Sequence, residues 1–189
     1  MPASARHHVA SLEEYFAVER NSPGRHEFFD GQIYVMAGGS HRHDYLETRA
    51  LLALGRRLGD GPCLPMTSNR RIATPDGLYT YADGSIFCGR IETGPEQTST
   101  NPVLLIEVLS DSTREYDRGE KLARVQTIPS LRHVLLIEQH HVEIEHWQRT
   151  EAAWVRRRYS ALDASIELPD LGLTLPVGEI YEGLDRVPR

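Results

Sequence analysis

The chain has 189 residues, of which 40% are hydrophobic and 25% are charged, and its formal net charge at pH 7 is −6. This length is sufficient for one domain with a full core, and no apolar run approaches the ~18 residues that a membrane helix needs. The acidic balance argues against a protein whose main task is to wrap nucleic acid, because phosphate contacts need Lys and Arg. The net charge does not exclude a nuclease, since acidic metal ligands lower the total charge.

The two cysteines, Cys63 and Cys88, provide neither a disulfide framework nor the spacing of a zinc site. The N-terminal stretch lacks the long apolar segment of a signal peptide. The sequence therefore predicts a cytoplasmic protein, without a membrane partner, whose cysteines are thiols. Residues 1–10 are expected to form a disordered tail and residues 11–185 one domain, because no repeat, low-complexity block or linker divides them.

Hydrophobic periodicity and turn residues predict a mixture of helices and strands. Helices are expected over residues 11–18, 41–58 and from 117 to a break at 128–130. Strands are expected over residues 27–29, 32–36, 63–72, 78–88, 103–109, 131–138, 142–147 and 154–159. Asp30-Gly31 is a hairpin signal, Ser11 and Ser40 can cap helices, and the strand over 78–88 is interrupted near Asp83-Gly84. Residues 89–101 read as a polar loop and 168–176 as an irregular apolar strip.

The stretch 101–125, NPVLLIEVLSDSTREYDRGEKLARV, carries the strongest functional signal. Its apolar run over 103–109 is typical of a strand that is buried on both faces of a sheet with parallel pairing. Glu107 interrupts this run, and a buried carboxylate is costly unless it is paired or holds a metal. A structural ion pair with an arginine is the alternative interpretation of Glu107.

The helix that follows is predicted to bring a lysine toward this strand. Asp117 can be its N-cap and Glu120 the third residue of a capping box. Lys121 lies on the same helix face as Leu122 and Val125. We therefore expect the lysine to point inward, although a lone helix lysine is more often solvated.

Two carboxylates and a lysine suit metal-dependent hydrolysis of a phosphodiester bond. Mg²⁺ (or Mn²⁺) prefers oxygen ligands and usually takes one or two protein carboxylates. The ion polarises the phosphoryl group and lowers the pKa of an attacking water. Asp83 and Glu107 are the candidate ligands, and the Lys121 ammonium would orient the water and offset developing charge.

Residues 101–122 resemble the signature of the Uma-type endonucleases, which belong to the PD-(D/E)XK, or restriction-endonuclease-like, superfamily. The resemblance lies in EVLS, ST and DRGEKL, and it extends over residues 11–182. The other segments that carry it are HEFFDGQIYVMAGGSHRHD, YADGSIF, LRHVLLIE and LPDLGLTLPVGEIY. It implies an α/β (α+β) fold with a restriction-endonuclease-like core, in which a mixed central β-sheet is flanked by helices.

The resemblance also assigns roles to residues. It matches Asp83 to the aspartate of the PD element, Glu107 to the acidic residue of the second half, and Lys121 to the catalytic lysine. It matches Glu27 to an acidic residue near the first hairpin, as a further ligand or a group that supports one. In this family the lysine lies on the helix after the strand, and Leu109 indeed occupies the strand position of a plain E-x-K motif. Ala82 departs from the family, which has a proline before the aspartate.

The resulting hypothesis is a Mg²⁺-dependent endonuclease that acts on nucleic acid, with DNA as the first candidate. The family implies a homodimer, so that each site meets one strand of a duplex. The candidates for contacts to phosphate are Arg70, Arg71, Arg114, Arg118 and His43. The arginines at 156–158 read as a solvated sheet edge. Two alternatives stay open: a non-catalytic nucleic-acid-binding or regulatory module on the same fold, and a metal-dependent hydrolase of a small phosphate ester.

Overall fold

The structure, a computed structural model, describes residues 9–36 and 38–188, so most of the predicted tail lies outside the described residues. In chain order the elements are α1 (Leu12–Asn21), β1 (His26–Phe29), β2 (Gln32–Val35), α2 (His41–Leu58), β3 (Cys63–Thr67), β4 (Arg71–Ala73), β5 (Tyr79–Tyr81), β6 (Gly84–Cys88), β7 (Leu104–Leu109), α3 (Arg114–Tyr116), a π-helical turn (Asp117–Lys121), α4 (Leu122–Val125), β8 (His133–Glu138), β9 (Ile144–Arg149), β10 (Trp154–Tyr159), β11 (Ser165–Leu168), β12 (Leu173–Pro176) and α5 (Val177–Tyr181). No helix in these two ranges combines the length and apolar character needed to cross a membrane.

Strand β7 lies inside a six-stranded sheet with the order β10-β9-β8-β7-β6-β3. It pairs in parallel with β8 and antiparallel with β6, so the sheet is mixed, as predicted. Every residue of β7 is buried, which confirms the prediction of a strand covered on both faces. At one edge of the sheet, β10 carries the exposed arginines 156–158, in agreement with the predicted solvated edge.

The two faces of β7 have different neighbours. Ile106 and Val108 belong to the core cluster that includes residues of α2. Leu105 and Leu109 belong to the cluster that includes residues of α4. Because side chains alternate along a strand, Glu107 points to the α4 side of the sheet. Helices thus flank the sheet on both faces, as expected for the predicted fold class.

A second, four-stranded antiparallel sheet has the order β2-β1-β5-β4. Its aromatic core joins Tyr15 of α1 to Phe28 of β1 and Tyr79 of β5, with ring centroids 5.2 and 5.7 Å from that of Tyr15. Ser11 caps α1 in a capping box, and Asp30-Gly31 turns the chain between β1 and β2. Both features confirm the predictions made for this part of the chain.

The chain passes from the smaller sheet to the larger one between β5 and β6. Tyr81 ends β5 and Gly84 begins β6, so the predicted break in the strand over 78–88 is confirmed and marks a change of sheet. Asp83 therefore lies at the junction of the two sheets. From this position the aspartate can contact residues of both sheets.

Two strand predictions were wrong. The segment 63–72 is not one strand but two, β3 and β4, which belong to different sheets. A turn separates them, in which the Arg70 N–H donates to the Thr67 carbonyl at 3.1 Å. The segment 168–176 is regular rather than irregular, because Gly172 adopts a φ of 64° after a short 3₁₀ turn and lets β11 and β12 pair as a hairpin.

The predicted cap of the helix after β7 was also wrong. The helix begins earlier, because the Ser110 hydroxyl accepts a hydrogen bond from the Thr113 N–H at 3.1 Å and the Ser110 carbonyl accepts one from the N–H of the next residue. Asp117 is therefore not an N-cap, and it forms no capping box with Glu120. It lies inside the π-helical turn with its side chain buried.

Cys63 and Cys88 are joined by a disulfide, so the expectation of two thiols was wrong. The two residues lie directly opposite each other in the antiparallel register of β3 and β6. They are 25 positions apart in the sequence, and only the pairing of these two strands brings them together.

We expect the protein to lose stability on acidification through a buried histidine pair on β8 and β9. His133 Nδ1 lies 3.0 Å from His146 Nε2, and both rings are fully buried. Burial lowers the pKa of His133 to about 4 and that of His146 to about 3. Asp170, whose Oδ2 lies 3.1 Å from His133 Nε2, opposes the lowering of the His133 pKa. The charge of Arg157 lowers the pKa of His146 further.

Because both folded-state pKa values lie below the ordinary value of ~6.5, the unfolded chain binds more protons at acidic pH. Stability from the neutral pair is therefore complete above ~6.5 and declines as the pH falls toward about 4 and then about 3. Urea unfolding of the wild type and His146→Gln at pH 7, 5.5 and 4.5 measures this. The wild type should lose up to ~1.4 kcal/mol more per pH unit than the variant, and parallel curves would contradict the prediction.

Candidate active site

Lys121 lies at the centre of a buried group of three carboxylates. Its Nζ is 2.9 Å from Glu107 Oε1, 3.2 Å from Glu27 Oε1 and 3.8 Å from Asp117 Oδ1. The same Nζ donates a hydrogen bond to the Tyr81 carbonyl at 3.3 Å. The side chains of the lysine and the three acids are each less than 10% exposed. The lysine is thus fixed by contacts from several elements rather than solvated.

These side chains reach the site from three parts of the fold. Glu27 comes from β1 of the smaller sheet, and Glu107 comes from β7 on its α4 side. Asp117 and Lys121 come from the π-helical turn, four residues apart, and therefore share a face of the helix. A π-helical turn inside a helix is often found at functional sites.

Neighbouring hydroxyl groups orient the two outer carboxylates. The Thr80 hydroxyl donates to Glu27 Oε1, and the Tyr116 side chain also hydrogen-bonds Glu27. The Thr113 hydroxyl donates to Asp117 Oδ2 at 2.6 Å. These bonds fix the directions in which the carboxylates face Lys121.

Asp83 is held at the edge of this group. Its Oδ2 accepts a hydrogen bond from the Val108 N–H at 2.6 Å and lies 3.2 Å from His43 Nε2. Gly84 pairs with Ile106, so the register continued by one residue places Asp83 opposite Glu107. The structure therefore places Asp83, Glu107, Lys121 and Glu27 in one region of the fold.

The sequence matches a known family over residues 12–178, and the description of this family is "Uma2: Putative restriction endonuclease". The chain belongs to the Uma2 family. The matched range contains all the acidic residues around Lys121, as well as His43 and Asp83. The resemblance found in the sequence is therefore confirmed.

Two Synechocystis sp. (strain ATCC 27184 / PCC 6803 / Kazusa) proteins resemble this Uma2 chain. "Uncharacterized protein slr1290" is 36% identical over 176 residues, which cover 92% of this chain and 92% of that protein. "Uncharacterized protein sll1609" is 28% identical over 163 residues, or 84% of this chain and 92% of that protein. The fold is similar to the crystal structure of a "putative nuclease belonging to DUF820" from Anabaena variabilis ATCC 29413, with a TM-score of 0.70 and 15% identity over 86% of this chain and 93% of that one.

The electrostatics of the Uma2 site reflect a surplus of acidic groups. Burial by itself lowers the pKa of Lys121, but Glu107, Glu27 and Asp117 outweigh it, and the pKa is raised well above its ordinary value. Burial raises the pKa of Glu107 well above its ordinary value, helped by Asp83 and opposed by Lys121. The acidic neighbours account for the raised pKa of Lys121, whereas burial, with Asp83 and Asp117, accounts for the raised pKa of Glu107. A further positive charge would therefore stabilise this site.

His43 and Glu47 extend the acidic group along α2. One ligand atom from each of His43, Glu47 and Asp83 can be chosen so that all three lie within 4.8 Å of one another. Burial lowers the pKa of His43, but Asp83 outweighs this effect and the net pKa is raised. Burial raises the pKa of Glu47, and the charge of Asp83 adds to the effect.

Three of the basic residues expected to contact phosphate are held by carboxylates. Each would therefore have to exchange an ion pair for a phosphate group. The pairs are Arg71 with Glu19 at 3.2 Å, Arg114 with Glu138 at 2.9 Å, and Arg118 with Glu145 at 3.0 Å. Arg70 instead donates to the Gln97 carbonyl at 3.3 Å. Arg70 and Arg71 line a cavity of about 420 Å³ that none of Asp83, Glu107 and Lys121 lines.

The sequence reasoning missed Asp117 and Glu47 as members of the site. Each lies four residues from a residue that the sequence had already indicated: Asp117 from Lys121, and Glu47 from His43. A search for acidic residues at helical spacing from the candidates would have found both. A further signal is that Lys121 is the only lysine in the sequence, whereas every other strongly basic side chain is an arginine.

We expect Gly84→Val to disturb the site without touching its polar groups. A Cβ at residue 84 would lie 2.9 Å from Leu51 Cδ2 and 3.0 Å from Ile106 Cδ1. Helix α2 would have to move away from β6, at a cost of ~1–3 kcal/mol in stability, and His43 would separate from Asp83. Thermal unfolding and metal titration of the variant measure both effects. Gly119→Val, at a glycine with open space around it, is the control, and equal behaviour of the two variants would contradict this account.

Proposed function

We propose that this Uma2 family member hydrolyses phosphodiester bonds of nucleic acid, with DNA as substrate, in a reaction that requires a divalent metal ion. The observation that carries the proposal is the burial of Lys121 between Glu107, Glu27 and Asp117, next to Asp83. The family description, which names a restriction endonuclease, supports nucleic acid as the substrate class. A cytoplasmic location and a homodimer belong to the same proposal.

The residues present fit a divalent cation. Three carboxylates contact a single ammonium and Asp83 lies at their edge, and carboxylate oxygens are the ligands that Mg²⁺ and Mn²⁺ prefer. Asp83 and Glu107 would hold the ion, since Asp83 directly precedes β6 and the register of β6 with β7 places it opposite Glu107. When bound, such an ion polarises the phosphoryl group and lowers the pKa of a bound water.

Lys121 would act by charge and orientation rather than as a base. The three carboxylates around it favour the protonated form, so at neutral pH it stays an ammonium and has no lone pair with which to take a proton. It can donate hydrogen bonds that orient water and offset negative charge as it develops on the phosphoryl oxygens. Glu27 and Asp117 would hold the ammonium in place, with their hydroxyl partners fixing their own directions.

The use of lysine at this one position supports the assignment. Elsewhere the chain uses arginine for every permanent positive charge. A guanidinium is planar and broad, whereas an ammonium is a compact point charge with three donors. The space between Glu107 Oε1 and Glu27 Oε1, at 2.9 and 3.2 Å from the nitrogen, suits the compact group.

The test is cleavage by the purified protein of supercoiled plasmid, single-stranded DNA and RNA, in Mg²⁺, Mn²⁺ or EDTA. Asp83→Ala and Lys121→Ala are assayed beside Arg124→Ala, which removes a partly exposed salt bridge one turn away. We expect cleavage of DNA that needs metal, is lost in the first two variants and is kept in the third. Absence of cleavage of all three substrates would refute the nuclease assignment, and cleavage that survives in Lys121→Ala would refute the role of the lysine.

A further inference from the structure

We propose that His43, Glu47 and Asp83 form a mixed imidazole and carboxylate site that binds a divalent transition-metal ion, taking Mn²⁺ in preference to Mg²⁺. This inference rests on the proposed function and deepens it, because it adds two ligands from α2 to the pair formed by Asp83 and Glu107. Asp83 would be common to both sets.

The three side chains are close enough to share one ion. One ligand atom from each lies within 4.8 Å of the other two, and His43 Nε2 is 3.2 Å from Asp83 Oδ2. Of the residues that the structure describes, no other trio of His, Cys, Asp or Glu side chains places ligand atoms so close together. All three side chains are partly buried, so an ion can enter from solvent and keep bound waters.

The backbone fixes this arrangement on rigid elements. His43 and Glu47 are four residues apart in the 18-residue helix α2, so both point from one face. Leu51, one further turn along that face, packs against Gly84, where the missing side chain permits the close approach of α2 to β6.

The donor set decides which ion is favoured. Mg²⁺ selects oxygen ligands and binds imidazole weakly, whereas an imidazole nitrogen favours first-row transition metals. One imidazole and two carboxylates therefore favour Mn²⁺ over Mg²⁺. Glu107 Oε1 is turned toward Lys121 Nζ at 2.9 Å, whereas His43 and Glu47 meet Asp83 from α2.

The experiment titrates Mn²⁺ and Mg²⁺ into the full chain by calorimetry, with the electron paramagnetic resonance signal of free Mn²⁺ as a second readout. His43→Asn and Glu47→Gln are compared with Glu107→Gln and with two surface controls, His41→Asn and Glu115→Gln. We expect the wild type to bind Mn²⁺ about tenfold more tightly than Mg²⁺ or better. Removing either α2 ligand should weaken Mn²⁺ binding at least about tenfold, and the surface controls should behave as wild type.

Three results would overturn the inference: no Mn²⁺ binding by the wild type, unchanged Mn²⁺ binding in both His43→Asn and Glu47→Gln, or equal affinity for Mn²⁺ and Mg²⁺. Thermal unfolding of each variant shows whether the chain is folded, and Glu47→Ala serves if Glu47→Gln is not. Cleavage assays on the same preparations separate the two proposals. If cleavage does not depend on His43 or Glu47, the nuclease proposal stands and the proposed metal site is refuted. If Mn²⁺ binds through both residues but no substrate is cleaved, the metal site stands and the nuclease proposal is refuted.

Discussion

Lys121→Met should abolish metal-dependent cleavage and lower the free energy of unfolding by ~3–5 kcal/mol. The methionine removes the cation that contacts Glu107, Glu27 and Asp117, which are all buried. Breaking a buried ion pair by removing one partner is costly, because the remaining charges are left without compensation. Cleavage should fall by at least about a hundredfold, since a preorganised donor at the reacting phosphate is lost.

The measurement combines urea unfolding with cleavage of the substrate identified in the wild type. Lys121→Arg is the informative companion, since it keeps the charge but replaces the compact ammonium by a planar guanidinium. We expect this variant to keep more stability than Lys121→Met and still to lose cleavage. Arg124→Met, which removes a partly exposed cation one helical turn away, should change stability by no more than ~1 kcal/mol. A Lys121→Met protein that is as stable as the wild type would show that the lysine is not the central cation of the site.

Glu107→Gln should also abolish cleavage, but without loss of stability. Burial and the charge of Asp83 raise the pKa of Glu107, which means that the folded site disfavours its carboxylate form. A neutral amide of the same shape relieves this repulsion, and Lys121 keeps Glu27 and Asp117 as partners. Cleavage should fall by at least about a hundredfold, because one of the two proposed metal ligands is gone. Groups that serve function at the expense of stability give this pattern.

The same unfolding and cleavage assays check this expectation, with Glu145→Gln as the matched control. Glu145 is a buried carboxylate too, but its partners are the arginines Arg118, Arg156 and Arg158. Removal of the Glu145 charge should therefore lower the free energy of unfolding and leave the rate of cleavage unchanged. The double variant Lys121→Met/Glu107→Gln should recover part of the stability lost in Lys121→Met, since the two residues are coupled at 2.9 Å. A marked loss of stability in Glu107→Gln alone would contradict the picture of a site with surplus negative charge.

The fold was largely predictable because its signals are local. The hairpin turn at Asp30-Gly31, the cap at Ser40 and the apolar run around Glu107 each depend on a few neighbouring residues, and each has its predicted consequence in the structure. The errors arose where neighbours in the sequence diverge in space. Residues 63–72 look like one strand, but the turn near Arg70 sends the chain into another sheet.

The residues of the candidate site also differ in how far local sequence patterns predict them. Asp83, Glu107 and Lys121 could be chosen from the sequence, because a carboxylate inside an apolar strand and a lysine on an apolar helix face conflict with their local patterns. Asp117 was assigned to a helix cap, since its residue type suits a cap and nothing local indicates a π-helical turn. Glu47 was passed over, because on α2 alone it resembles any solvent-facing glutamate.

By itself, then, the sequence determined the mixed sheet, its flanking helices and the acidic and basic residues that could carry chemistry, because periodicity and turn residues act over short distances. Only the tertiary structure decided which of these residues meet. Glu27 reaches Lys121 from a different sheet, and His43 reaches Asp83 from a helix that ends 25 residues before it. Cys63 meets Cys88 by register alone. Such contacts depend on how sheets and helices pack, and hydrophobic burial rather than any local pattern decides that packing.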